Sequence, residues 1–290
     1  MRAGLRGGAR PAWRGGRPGA LALTLAAAVL LVAAAPLLAP HDPNSTDILN
    51  RLAPPSLDFP LGTDAMGRCL LSRLLYGARL TITVAFVVVA AAAAVGTLVG
   101  LAAGYLGGTL DRAAMRIVEG VSVFPVLAVA LVLAGTLGIG LTAVMIALAA
   151  VHWTEYARVV RNMTMVERAK PYVLAAHAIG APGRHIVFRH LLPNVCGPLL
   201  VLGAYSLSFV ILAVAGLSFL GLGVEPGTAE WGRMIAEARN HMRSYPRLVI
   251  VPGFSIMAFV ILVNLFGDAL GDRWRVDRVL RPGPSIGNSA

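Results

Sequence analysis

The sequence predicts an all-α fold, a polytopic transmembrane helix bundle with six spans. Three observations predict it. The 290 residues are 57% hydrophobic and only 13% charged, about half the charge of a typical soluble domain. Six apolar runs have the length and composition of bilayer crossings, at roughly 20–39, 81–103, 117–136, 138–153, 198–220 and 248–266. The 25 Lys and Arg residues are also unevenly spread over the segments between those runs.

The first run follows Arg2, Arg6, Arg10, Arg14 and Arg17. Basic residues before an apolar stretch suggest a secretory leader, but this run is longer than the 7–15 residues of a leader core. It reads as an uncleaved first transmembrane helix behind a tail at 1–19. Residues 40–80 form a long connecting segment with His41-Asp42-Pro43 and Pro54-Pro55. A core at 81–270 holds the other five runs. The third and fourth are separated only by Gly135–Gly140, which reads as a tight hairpin. A second long connector, about 221–247, contains Glu230-Trp231-Gly232. The two connectors are either solvated links or caps that meet an external partner. A tail at 271–290 closes the chain.

Six crossings put both ends on one face. With both ends inside, 17 of the basic residues fall in inner segments and 8 in outer ones. That bias predicts cytoplasmic termini. It also accounts for the net charge of +11 without nucleic acid, because the arginines lie between apolar runs. Cys69 and Cys196 form no CxxC, so neither a disulfide framework nor a zinc site is indicated.

Catalytic patterns do not appear. There is no GxSxG and no HExxH, and no carboxylate pair falls inside the runs. Lys170, the single lysine, has no glycine loop before it, so no P-loop ATPase site is expected. No cofactor and no metal ligand set is expected either. A secondary transporter keeps buried ionisable residues as coupling sites. Here Glu119 lies near the start of the third run, and His152 is the one intramembrane candidate. His152 is expected at the end of the fourth run beside Trp153, in an interfacial aromatic belt. The alternative reading is a self-sufficient secondary transporter or channel. It and a membrane enzyme lack the charged or catalytic residues they need.

What remains is a membrane pathway whose energy enters from outside the chain. The segment from Thr154 to Pro193 is the place for that. Apolar Tyr156, Val159, Val160, Met163 and Val166 alternate with Arg158, Arg161, Glu167 and Arg168 at helical spacing. Pro171 kinks or restarts the helix, Gly180 suits a C-terminal cap, and Pro182 suits the first turn of a second helix over about 182–191. Ala175, Ala176, Ala178 and Ala181 crowd the turn, where small side chains let another backbone approach. Pro193 precedes the fifth run.

This segment resembles the signature of permease subunits of bacterial ABC importers: Glu-Ala-Ala, three residues, Gly, nine residues, Ile, one residue, Leu-Pro. Ala175, Ala176, Gly180, Leu192 and Pro193 match it, while Leu174 replaces the Glu and His190 the Ile. Further stretches are similar to the second permease of the peptide and nickel importers. These are Leu61–Arg68 followed by Cys69 in place of an Asp, Gly104–Gly108 with Asp111, Leu217–Gly223 with Glu230–Gly232, and Gly267–Leu270 with Asp272. The resemblance covers roughly 36–273. It implies an ABC importer permease fold and a coupling helix near 172–183, with Ala175, Ala176, Gly180, Ala181, Pro182, Leu192 and Pro193 as the coupling set. It implies four kinds of partner: the membrane, a second homologous permease subunit, two ATPase subunits that bind the ATP, and an extracytoplasmic substrate-binding protein. Short peptides and nickel, free or chelated, stand level as substrates.

Overall fold

The computed structural model describes residues 18–138 and 140–280. Residues 1–17 of the expected tail at 1–19, and the residues after Leu280, lie outside this description. The described chain is helical, with no strand among the described residues. In order, the helices are α1 (Pro18–Ala33), α2 (Ala35–Leu38), α3 (Leu70–Leu106), α4 (Gly108–Ser122), α5 (Val126–Leu137), α6 (Leu141–Arg168), α7 (Pro171–Ala178), α8 (Gly183–Ile186), α9 (Leu192–Phe219), α10 (Trp231–Ala238) and α11 (Arg247–Leu280).

The six apolar runs fall largely on helices, but not on six simple spans. Four stretches are long and apolar enough to cross a bilayer alone: Leu70–Leu106, Leu141–Arg168, Gly183–Phe219 and Arg247–Arg273. The expected third span, 117–136, is corrected to a bent pair. α4 and α5 meet at 84°, because Pro125 lacks a backbone donor and pushes Phe124 away from helical geometry. α1 covers about 24 Å at 1.5 Å per residue, short of the roughly 30 Å hydrocarbon core.

Element ends differ from expectation where nothing in the backbone stops a helix. α3 starts at Leu70 rather than near 81, taking up the end of the expected 40–80 connector. α6 runs to Arg168, well past 153, because no glycine or proline intervenes before Pro171. α11 continues through the expected tail start at 271. The helix expected over about 182–191 and the fifth run are joined: helix is continuous over 183–219. A wide π turn at Val187–Leu191, closed by Leu192 N donating to Val187 O, absorbs the proline instead. That turn relieves the missing donor and the ring clash that Pro193 would impose on a regular α-helix.

α3 and α6 lie side by side and run in the same direction. Their contact is set by glycines four residues apart. A Cβ placed on Gly96 would come 2.4 Å from Tyr156 Cβ, one on Gly100 2.6 Å from Ala157 O, and one on Gly104 2.7 Å from Thr164 Cβ. Small residues at this spacing let helix backbones meet where no hydrophobic force drives association. The main core joins α3 and α6 to α9, α10 and α11 around Val84, Val88, Leu148, Ile211 and Trp231.

Candidate functional site: the helical turn at 171–193 and the clasp at the opposite end

α7 begins with Pro171 at its first position, after extended Lys170. Val173 and Ala176 face inward. They join Leu101 of α3, Val160 of α6, Ile186 of α8, and Leu191 and Val195 at the start of α9 in a small apolar cluster. The helix ends in a doubly bonded cap. Gly180 N donates to His177 O at 3.0 Å, and Ala181 N to Ala176 O at 3.1 Å, the Schellman arrangement. Gly180 sits at φ +78, and a Cβ there would meet open space, so the left-handed backbone alone selects glycine. Pro182 caps α8 rather than lying in its first turn; His185 N donates back to Pro182 O at 2.8 Å. Gly183 packs against Tyr105, whose hydroxyl would be 3.0 Å from an added Cβ.

The turn is braced by polar contacts. Lys170 Nζ lies 2.6 Å from Glu167 Oε2, and the Tyr172 hydroxyl donates to Glu167. Burial, followed by the adjacent carboxylate, pushes the Tyr172 phenol up from its ordinary value. Asn194 Nδ2 donates to His190 O at 2.6 Å and to the Tyr172 hydroxyl at 3.2 Å. Nearby, Arg161 forms a two-point bond with Asp111 at 2.6 and 2.7 Å, tying α6 to α4.

The structure divides the seven expected coupling residues. Ala175, Gly180 and Pro182 are exposed together on the hairpin tip, while Ala176 and Ala181 turn toward the bundle. Leu192 and Pro193 lie apart, in the first turn of α9. Sequence reasoning missed the tip's apolar surface: Leu174 is 55% exposed, Ile179 85% and Phe188 68%. The available signal was an isoleucine directly before the capping glycine, off the buried register of Val173 and Ala176. Leu174, the first departure from the signature, is on this surface. His190, the second, packs at 5.7 Å from both Tyr172 and His185.

At the other end of the bundle, the Leu61–Arg68 stretch and the start of α3 form a buried ionic clasp with α10 and the connector before it. Arg68 Nη2 and Arg73 Nη2 donate to Glu237 Oε2 at 2.7 and 3.0 Å, and Arg68 Nε donates to Asp64 Oδ2 at 2.7 Å. Arg73 Nη1 donates to Gly227 O at 3.0 Å, and Gly227 N donates to Glu237 Oε1 at 3.0 Å. Burial works to raise the Glu237 pKa, but Arg73, the Gly227 N–H and Arg68 together hold it below the usual range. Gly67 is required here: at φ +76, an added Cβ would lie 1.7 Å from Asp47 O. A cavity of about 690 Å³ opens beside the clasp, lined in part by Asn44, Thr46, Met66 and Arg233. Glu230 is fully buried and caps α10 by accepting from Gly232 N and Arg233 N, with Thr81 Oγ1 donating to it as well. Trp231 Nε1 donates to Leu74 O at 3.1 Å.

His152 is buried midway along α6, 5% exposed. It stacks on Phe209 at 5.5 Å. Cys69 is buried, Cys196 exposed, and both are free thiols.

An all-helical bundle of long apolar helices, with an ion-locked cap at one end and a braced, exposed helical turn at the other, defines a multi-pass membrane transport subunit. Residues 96–276 match the family described as binding-protein-dependent transport system inner membrane component. The chain is 38% identical over 244 residues to the dipeptide transport system permease protein DppC of Alkalihalophilus pseudofirmus, covering 84% of this chain and 80% of that protein. It is 39% identical over 233 residues to the nickel transport system permease protein NikC of Escherichia coli K12, covering 80% and 84%. It is 39% identical over 256 residues to that organism's probable D,D-dipeptide transport system permease protein DdpC, covering 86% of each. In fold it is similar to a chain of the inward-facing MetNI methionine ABC transporter, with a TM-score of 0.56 and 21% identity over 71% of this chain and 95% of that one. The protein belongs to the binding-protein-dependent inner-membrane component family, as a permease subunit of an ABC importer in the peptide and nickel permease group.

Proposed function

We propose that this subunit pairs with a second, homologous permease to form a path for short peptides or nickel, free or chelated. In this reading the turn at 174–182 seats in a groove of an ATPase subunit. Two such ATPase subunits bind the ATP, and this chain has no ATPase site of its own. Both termini and the turn are cytoplasmic, and the clasp faces the extracytoplasmic binding protein. ATP-driven closure of the ATPases moves the turn as a rigid unit, and the long helices reorient to expose the path alternately to each side.

The observation that carries this reading is the contrast within α7. One face is anchored on α3, α6 and α9 through Val173 and Ala176, while the other presents Leu174, Ala175, Ile179 and Gly180 without cover from this chain. An anchored hairpin with an apolar tip transmits force from whatever holds the tip. Arg184 and Arg189, both exposed, flank it for an acidic partner surface.

Gly180 variants test this directly. Gly180→Trp is expected to abolish ATP-dependent transport while the chain still inserts and co-purifies with the second permease. Gly180→Asn, which tolerates the left-handed backbone, is expected to keep most transport. Normal transport by Gly180→Trp contradicts the assignment.

A further inference from the structure

α6 extends past its expected end, and Glu155 falls within the length of a bilayer entered at Leu141. It lies about 21 Å along the helix from Leu141 at 1.5 Å per residue, inside a hydrocarbon layer of roughly 30 Å. The uncharged neighbouring stretch of α3 supports that depth. Gly96 of α3 sits against Trp153, Tyr156 and Ala157, and α3 carries no charged residue from Leu80 to Leu106. Yet the Glu155 side chain is 54% exposed. An intramembrane carboxylate facing lipid is costly, so such residues face water-filled paths or partners. Among the described residues, the only ion partner Glu155 has is His152, at 3.8 Å through Nδ1. Arg158, one turn further on, is engaged by the Ser122 hydroxyl at 2.8 Å.

His152 supplies a second, independent observation. It is 5% exposed, and its Nε2 is buried without a hydrogen-bond partner, although buried polar atoms are nearly always paired. His152 and Glu155 share a cavity of about 260 Å³ with Val126, Tyr205, Ser206 and Phe209. That volume is below the range for a drug-sized ligand, about 300–1,000 Å³, and suits one end of a molecule. A carboxylate beside aromatic rings is the chemistry that receives a compact cation.

We propose that this crevice receives the cationic end of the transported substrate, with Glu155 as the charge partner and His152 and Phe209 as its wall. The inference rests on the permease reading above and adds the residue that selects substrate. Two sources supply that cation: the N-terminal ammonium of a short peptide, or a divalent metal.

The experiment uses the complete complex with its binding protein in proteoliposomes, and dialanine, N-acetyl-dialanine and nickel chloride as probes. If the site reads an ammonium, the wild type takes up dialanine in preference to the acetylated form. Glu155→Gln then lowers dialanine uptake by about tenfold, the loss of one charge-assisted contact, and erases that preference. If the site reads a metal, Glu155→Gln lowers nickel uptake by a similar factor. Either result, with the variant complex still co-purifying, supports the proposal. Unchanged uptake of the transported probe overturns it. So does failure of the Glu155→Gln complex to co-purify, because Glu155 then holds a subunit contact. A wild-type complex that moves none of the probes overturns the substrate assignment of the proposed function together with the inference.

Discussion

Gly180 and Glu237 show how single residues set the two ends of this molecule. Gly180 is held by backbone geometry, and its Cα faces open space; any side chain added there is felt first by whatever docks. Glu237 is held by charge. Two arginines and a backbone N–H converge on it, and its pKa is depressed below the usual value of 4.5. A depressed carboxylate contributes stability that is complete at neutral pH and is lost as the pH falls through its folded value. We therefore expect the thermal stability of the detergent-purified subunit to drop at pH values below 4.5. Glu237→Gln is expected to remove that acid dependence. At pH 7 it is expected to cost about 3 kcal/mol, because two buried arginines that share Asp64 lose their second carboxylate. Melting followed by tryptophan fluorescence checks both outcomes.

At the scale of elements, the pairing of α3 with α6 is the contact most sensitive to substitution. Gly100→Ala improves intrinsic helix propensity by up to about 1 kcal/mol, but its methyl group would lie 2.6 Å from Ala157 O. The clash dominates, and we expect a net loss of about 1–3 kcal/mol. Gly120→Ala in α4 meets nothing within 4 Å and is expected to be neutral or slightly stabilising in the same melting assay. The sequence reveals these elements unevenly. Long apolar runs place α3, α6, α9 and α11, because hydropathy reports burial in lipid directly. It does not report where a helix stops. α6 continues into polar sequence, so the place of Glu155 on the same long helix as the fourth apolar run is not visible there. The bend at Pro125 is legible as a proline, but its 84° angle depends on how α4 packs on α3 and α6.

Across the whole molecule, the candidate turn was legible because capping chemistry is local: Pro171, Gly180 and Pro182 write the hairpin into the sequence. The exposure of Ile179 and the division of the seven expected residues were not legible. They depend on which face of α7 meets Leu101 and Val160, residues distant in the chain. Likewise, Asp64, Arg68 and Glu237 are visible as charges, but their convergence is set by the long connectors folding back on α3. The molecule thus has a charge-locked end and a hairpin anchored by one apolar face, joined by parallel helices in tight glycine contact.

In the proposed assembly the tip of the turn is covered by an ATPase subunit. This is tested most directly by the reactivity of Ile179→Cys toward a membrane-impermeant maleimide, in a background where exposed Cys196 is replaced by Ser. Leu49→Cys, 98% exposed at the clasp end, serves as the control. The account predicts that Ile179→Cys is labelled readily in the isolated permease pair and is protected once the ATPase subunits bind, while labelling of Leu49→Cys is unchanged. Equal labelling of Ile179→Cys with and without the ATPase subunits would contradict it.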